Sequence, residues 1–308
     1  MKSLKQHIKE SFKIGRNKMT YYNYFPETKD ELKKILKDRL SDDKNADLND
    51  IDISNITDMS DLFNDLDPYN INIYAWDVSN VTNMGYMFWG CENFEGKGLE
   101  NWNVSNVEDI TDMFFGCKKF NCDLSSWDVS NVKDMYETFC KCENFKGKGL
   151  ENWDVSNVKN MSGMFLNCDK LNCKGLENWD ISNVHNMNGM FAYCKNFKGK
   201  GLENWDVSNV INMKTMFYNC ENFNCNLSKW DVSNVRFMDK MFYGCGNYKG
   251  KGLENWNVSN VDNMKAMFYN CENFNCDLSK WNVSNVRFMD KMFYGCNSLK
   301  NKPSWYKV

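Results

Sequence analysis

The chain has 308 residues, 42% of them hydrophobic and 15% aromatic, with 26% charged. That much apolar material can build a continuous core, which excludes wholesale disorder. A formal net charge of −3 suggests no phosphate-binding surface, and no apolar run approaches the length of a membrane span.

The opening stretch, MKSLKQHIKESFKIG, has no continuous apolar run of the kind a secretory signal needs. Leu4, Ile8 and Phe12 are spaced for one face of a helix, surrounded by Lys2, Lys5, Lys9 and Lys13. Two readings stay open: a loosely docked leader, or a basic amphipathic helix that meets a membrane or a partner. Thr28-Lys29-Asp30-Glu31 is a capping box, and it predicts a helix with Leu32, Ile35, Leu36 and Leu40 on one side. A stack of repeats needs a cap on its open apolar end. Residues 1–47 are therefore read as a basic leader and helical cap, and residues 48–308 as a repeat domain. Asp43, Asn45, Asp47 and Asn49 alternate like the first ligands of a calcium loop. Leu48 and Ser54 stand where that loop requires glycine and glutamate, which excludes it.

A repeat dominates the rest of the chain. Tryptophans open its copies at Trp76, Trp102, Trp127, Trp153, Trp179, Trp205, Trp230, Trp256 and Trp281, in steps of 25 or 26 residues. A degenerate copy with Ile51 in the tryptophan slot precedes them, and Trp305 opens a stub. Copies ending in KGLENW are one residue longer than those ending in CDLSSW, and the extra residue is assigned to a turn. Within a copy, Val158, Met161, Met164, Phe165 and Cys168 have the spacing of one helix face, with Ser156 or Asn157 at the N-cap position. Glycine and alternating apolar residues in the second half favour a short strand near Phe223–Leu227 and its equivalents. The predicted fold is an α/β repeat: a leucine-rich-repeat-like solenoid of about ten strand-turn-helix units with an N-terminal helical cap. Strands stacked about 4.8 Å apart would make a rod or gentle arc on the order of 45 Å long.

The pattern W-D-V-S-N-V-x-x-M-x-x-M-F-x-x-C-x-x-F resembles the repeat of the BspA-like leucine-rich-repeat surface proteins, over about residues 48–300. The resemblance implies a leucine-rich-repeat-like solenoid, often found on bacterial surfaces. Proteins of that family usually carry a signal peptide, and the start of this chain departs from that. P-x-T-K-D-E-L-K-K-I and L-N-D-I-D-I-S near the start resemble segments of bacterial and phage-encoded proteins.

Fourteen cysteines invite a disulfide framework. Nine of them fall in one column on the apolar face, from Cys91 to Cys296, and four in a second, Cys122, Cys173, Cys225 and Cys276; Cys140 is the odd one. Column neighbours have parallel side chains, whereas a disulfide needs convergent ones. The expectation is a buried ladder of reduced thiols, which points to a cytoplasmic or virion-associated protein rather than a surface one. Cys140-Lys141-Cys142 is the only close pair, so no zinc arrangement arises. No cofactor is expected.

Catalysis finds no support. His7 lies in the leader, and His185 occupies a position filled elsewhere by Lys, Thr, Asp, Ile or Arg. The recurring serines, such as Ser156 and Ser208, have no histidine partner. The aspartates after the tryptophans become Asn103, Asn257 and Asn282 in three copies, which suits hydrogen bonding rather than proton transfer.

Function must then lie in the variable columns. The residue after the repeated Phe is mostly aromatic, and in the C-terminal copies it is Tyr218, Tyr243, Tyr269 and Tyr294. Arg236-Phe237 and Arg287-Phe288 recur beside them. A half-exposed Tyr/Arg stripe suits a protein interface; the same aromatics could instead close gaps between neighbouring helices. The expected function is a non-enzymatic interaction or structural scaffold, bacterial or phage-encoded, with a protein partner rather than nucleic acid. A surface adhesin is the alternative.

Overall fold

A computed structural model describes the backbone of residues 13–15, 18–172 and 174–307, and side chains among residues 21–172 and 174–307. The predicted leader face of Leu4, Ile8 and Phe12 lies outside the described residues. Two short strands, β1 (Lys13–Gly15) and β2 (Lys18–Thr20), form an antiparallel hairpin. Helix α1 (Lys29–Asp42) comes next, with Thr28 as its N-cap. The Thr28 hydroxyl accepts from the Glu31 N–H at 3.2 Å, and the Glu31 carboxylate accepts from the N–H of Glu27 at 2.8 Å. The capping box is thus closed one residue upstream of its usual position. Leu32, Leu36 and Leu40 are buried in the core, with Ile35 half-buried beside them.

The strand-turn-helix unit is not what the repeat forms. Among the described residues α1 is the one α-helix, and the stretch Phe223–Leu227 carries no strand. Each copy is a closed loop of backbone made from chained turns. In the Trp153 copy, the N–H groups of Val158, Met164, Leu166, Cys168 and Leu171 each bond to the carbonyl three residues back. The alternating N–H groups of Met161, Gly163, Phe165 and Asn167 instead reach the next loop, at Asn186, Asn188, Met190 and Ala192. An α-helix would spend all of these donors inside one copy. Chained turns leave half of them to bind the neighbouring copy.

Two columns of left-handed backbone impose this geometry. One contains Gly163 (φ 64°) and Gly189 (φ 64°), and the other, four residues on, Gly116 (φ 75°), Asn167 (φ 61°) and Gly244 (φ 71°). Positive φ matches the third residue of a type II turn and cannot be continued as a right-handed helix. The inward residues are nonetheless those expected. Val158, Met161, Met164 and Phe165 have no exposure at all, because turns joined corner to corner repeat near three residues and place the same side chains inside.

Loops stack on one another through single parallel bridges that climb the chain: Asp58 to Asn83, Asn83 to Asp109, Asp109 to Asp134, and onward to Phe288. The extra residue of the longer copies lies between the repeated Phe and Leu, where Leu99–Asn101, Leu150–Asn152 and Leu176–Asn178 each form one turn of 3₁₀-helix after a left-handed glycine.

Side-chain ladders hold the stack. Each indole N–H donates to a carbonyl of the previous loop, as Trp179 does to Leu150 and Trp205 to Leu176, both at 2.8 Å. The two rings lie 6.4 Å apart and 4° from parallel. Each asparagine of the S-N-V segment donates to the serine carbonyl one loop back, for example Asn157 to Ser130 at 2.8 Å. The aspartate after each tryptophan accepts from the serine N–H two residues on, as Asp154 does from Ser156 at 3.0 Å. Asn103 does the same with its amide oxygen, so the Asp/Asn exchange keeps the acceptor. Ser156 thus closes an Asx turn and caps no helix.

The described cysteines are all reduced, and all but Cys276 and Cys296 are buried. The thiols of the long column do more than fill space. Cys194 donates to the Phe165 carbonyl and Cys168 to that of Phe139, each at 3.0 Å. Burial pushes the Cys194 thiol up to about 12, and that of Cys142 well above its ordinary value. Thiol titration of unreduced, denatured protein should therefore return about fourteen groups. The folded protein should react slowly everywhere, fastest at the partly exposed Cys276 and Cys296. Recovery of six or seven disulfides would refute the ladder.

Candidate interaction site

The variable columns decorate this stack. Tyr218, Tyr243, Tyr269 and Tyr294 follow the buried phenylalanines of consecutive loops, so loop stacking forces their rings into register. Successive centroids are 4.7, 4.6 and 4.8 Å apart, with interplanar angles of 11°, 1° and 19°. These are stacked faces with exposed edges. These copies contain no α-helix, so the rings pack against one another between neighbouring loops rather than between helices. Tyr218, Tyr243 and Tyr269 are half-buried, whereas Tyr294 is 61% exposed.

Tyr193 extends the row, 5.2 Å from Tyr218 and tilted by 54°. It sits one position later than the others, in the left-handed column at φ 62°, so column alignment misses it. Its only sequence signal is an aromatic beside a small residue, Ala192. Farther toward the N-terminus, Trp89 and Phe115 stack at 5.5 Å, and Lys141 lies 4.7 Å over the Phe115 ring.

The arginines do not join the tyrosines. Arg236 and Arg287 line a separate groove of about 700 Å³ with Asn234, Asn260 and Asp262. Arg287 binds the Asp262 carboxylate through Nε and Nη2, and this pairing holds that carboxyl below its usual range. Each guanidinium lies 5.9 Å from the ring of the phenylalanine that comes after it. Phe237 and Phe288 occupy the bridge column, where other copies carry Asp or Asn, and they stay 37% and 49% exposed. The predicted single stripe is therefore two features: a tyrosine ladder and an Arg-Phe pair repeated two loops apart.

The N-terminal half has different chemistry. Asp112 is buried, and burial together with the neighbouring Glu137 carboxylate raises it to about 6. His185 is exposed.

Three overlapping segments, residues 31–149, 133–254 and 226–308, match the family described as "Mycoplasma protein of unknown function, DUF285". The chain belongs to that family. DUF285 is a repeat family related to the BspA-like surface repeat proteins. No curated protein matches the chain. Among solved structures it is similar, at 11% identity and a TM-score of 0.20, to one titled "Crystal structure of TLR13-ssRNA13 complex". That match covers 88% of this chain and 48% of the other, so the chain spans about half the length of the one it matches. At so low a TM-score the likeness carries no argument about fold or function. No described helix is long and apolar enough to cross a membrane.

Proposed function

We propose that this DUF285 chain is a non-enzymatic scaffold, bacterial or phage-encoded, that binds a protein partner along its C-terminal tyrosine ladder. The observation that carries this reading is the register of Tyr218, Tyr243, Tyr269 and Tyr294 on a stack whose constant columns all serve packing or hydrogen bonding. Ring edges and hydroxyls held at a fixed spacing lose little entropy on binding, and tyrosine is enriched at interfaces for that reason. The exposed Phe237 and Phe288, each with an arginine over its ring, add apolar area in the same copies. We place the protein inside a cell or particle, because the thiol ladder uses its S–H groups as donors and disulfide formation would remove them.

Changing the four tyrosines to serine, with Arg236 and Arg287 to alanine, tests this. The partner-binding signal in a pull-down from native lysate should fall at least tenfold. The melting temperature should stay close to that of the wild type; a steep fall, roughly 1–2 kcal/mol for each half-buried ring, would instead assign the tyrosines to packing. A variant that keeps its fold and retains every wild-type partner would sink the reading. Fractionation of the native host separates it from a surface adhesin.

A further inference from the structure

A second surface carries a different chemistry. Two adjoining depressions of about 620 and 490 Å³ share Lys146 and Lys170, so they form one groove running across successive loops. Six exposed lysines line it: Lys97, Lys119, Lys146, Lys170, Lys198 and Lys200. They come from five consecutive copies. Lys119 and Lys170 precede the repeated Phe or Leu, and Lys146 and Lys198 follow it, so the charges alternate between two staggered rows. Neither row is continuous in the sequence, and only loop stacking brings them together.

The lining carboxylates do not neutralise them. Asp123 is taken by Lys148 at 2.7 Å, outside this set. Glu100 accepts from the Gly98 N–H and from the Cys122 thiol, which fixes its carboxylate without neutralising it. Three carboxylates, Glu95, Glu100 and Asp169, therefore face six lysines, and one Asp169 carboxylate oxygen is buried without a partner. None of the six lysines makes an ion pair among the described residues. In a chain of net charge −3, this is a local excess of positive charge, six lysines against three carboxylates not paired to a cation.

We infer that this groove binds an extended acidic segment of polypeptide lying along the stack. Charge complementarity selects an anion, and the floor selects its kind. Asn121 and Asn144 accept through their side-chain oxygens from Lys146 and Lys170, leaving their amide N–H groups without partners among the described residues. Such groups suit backbone carbonyls of an extended chain. The aromatic side chain at the groove, Phe197, is 3% exposed and offers no face for base stacking, so a nucleic acid would lack its usual platform.

The test uses the full chain and a fluorescently labelled twelve-residue glutamate-rich peptide, followed by anisotropy. Binding should be saturable and weaken with added salt. Charge reversal in Lys119→Glu/Lys146→Glu/Lys170→Glu/Lys198→Glu should reduce affinity at least tenfold, and the same four changes to Gln should give an intermediate loss. If the reversed chain melts early, the Gln variant decides. The variant lacking the four ladder tyrosines, Arg236 and Arg287 should bind the peptide normally, which separates this site from the ladder. No saturable binding to the wild type would overturn the proposal. So would unchanged affinity in the lysine variants, or tighter binding of a single-stranded oligonucleotide of equal charge.

Discussion

Replacing Leu32, Leu36 and Leu40 by serine should detach α1 and turn a well-behaved protein into one that self-associates. All three side chains are at most 1% exposed and pack into the core cluster that continues through the repeats. Burial of each contributes roughly 2–3 kcal/mol, and truncation adds a cavity penalty. The polar tethers of α1 cannot compensate. Lys29 meets Asp58 at 3.0 Å and Arg39 meets Asp50 at 3.1 Å, but these pairs are partly exposed and worth about 0–1 kcal/mol each. The leucines therefore decide whether the helix stays. The loops beneath hold one another through their own ladders, so losing α1 uncovers the Ile51 copy without melting the stack. Loop edges are surfaces that every other copy buries by stacking. Light scattering should show dimers or larger species at micromolar concentration. A monomeric variant with an unchanged melting temperature would mean that α1 is only a tether.

The period, the inward residues and α1 were legible in the sequence, because each is dictated by burial. Met161, Met164 and Phe165 must be inside whether the backbone is helical or turned. Spacing cannot choose between those backbones, since a helix face and a chain of type II turns both return near every third residue. The discriminating signal was local and weak: Gly or Asn just before the repeated Cys, as at Gly90, Asn167 and Asn270, all with positive φ. The column four residues earlier hides the same conformation under ordinary side chains, among them Glu137, Lys240 and Ala266. Their strain is a tertiary effect, offset by bonds to the next loop, and a single copy read alone does not reveal it.

The candidate site was legible only in part. Tyr218 through Tyr294 share a column, so alignment of the copies predicts their ladder. Tyr193 is shifted by one position and enters it only through the three-dimensional stack. Arg236 and Arg287 lie near the tyrosines in sequence, but a chain of turns sends them to another groove. The lysine groove is not legible in the sequence, because Lys119 and Lys146 belong to different columns and a near-neutral total charge conceals how those columns are placed.

Gly149→Ala should be among the most damaging single substitutions in the chain, while Gly90→Ala should be mild. Both glycines have positive φ, 96° and 73°, so both variants incur the left-handed penalty of roughly 1–2 kcal/mol. Space separates them. A Cβ at Gly149 would lie 2.2 Å from the Ser125 N and 2.5 Å from the Leu124 carbonyl carbon, both backbone atoms of the previous loop. One at Gly90 would meet nothing within 4 Å. Side chains can turn aside, but loop backbones cannot. Leu124 is tied directly to the loop that carries Gly149, accepting from the Trp153 indole at 3.2 Å and donating its N–H to Lys148 at 3.1 Å. Relief would require opening the stack between these two loops, at a cost of about 1–3 kcal/mol or more beyond the conformational penalty. Denaturant melts of the two variants beside the wild type would measure the gap. Equal destabilisation would show that conformational strain alone governs these positions and that the loops are not packed backbone to backbone.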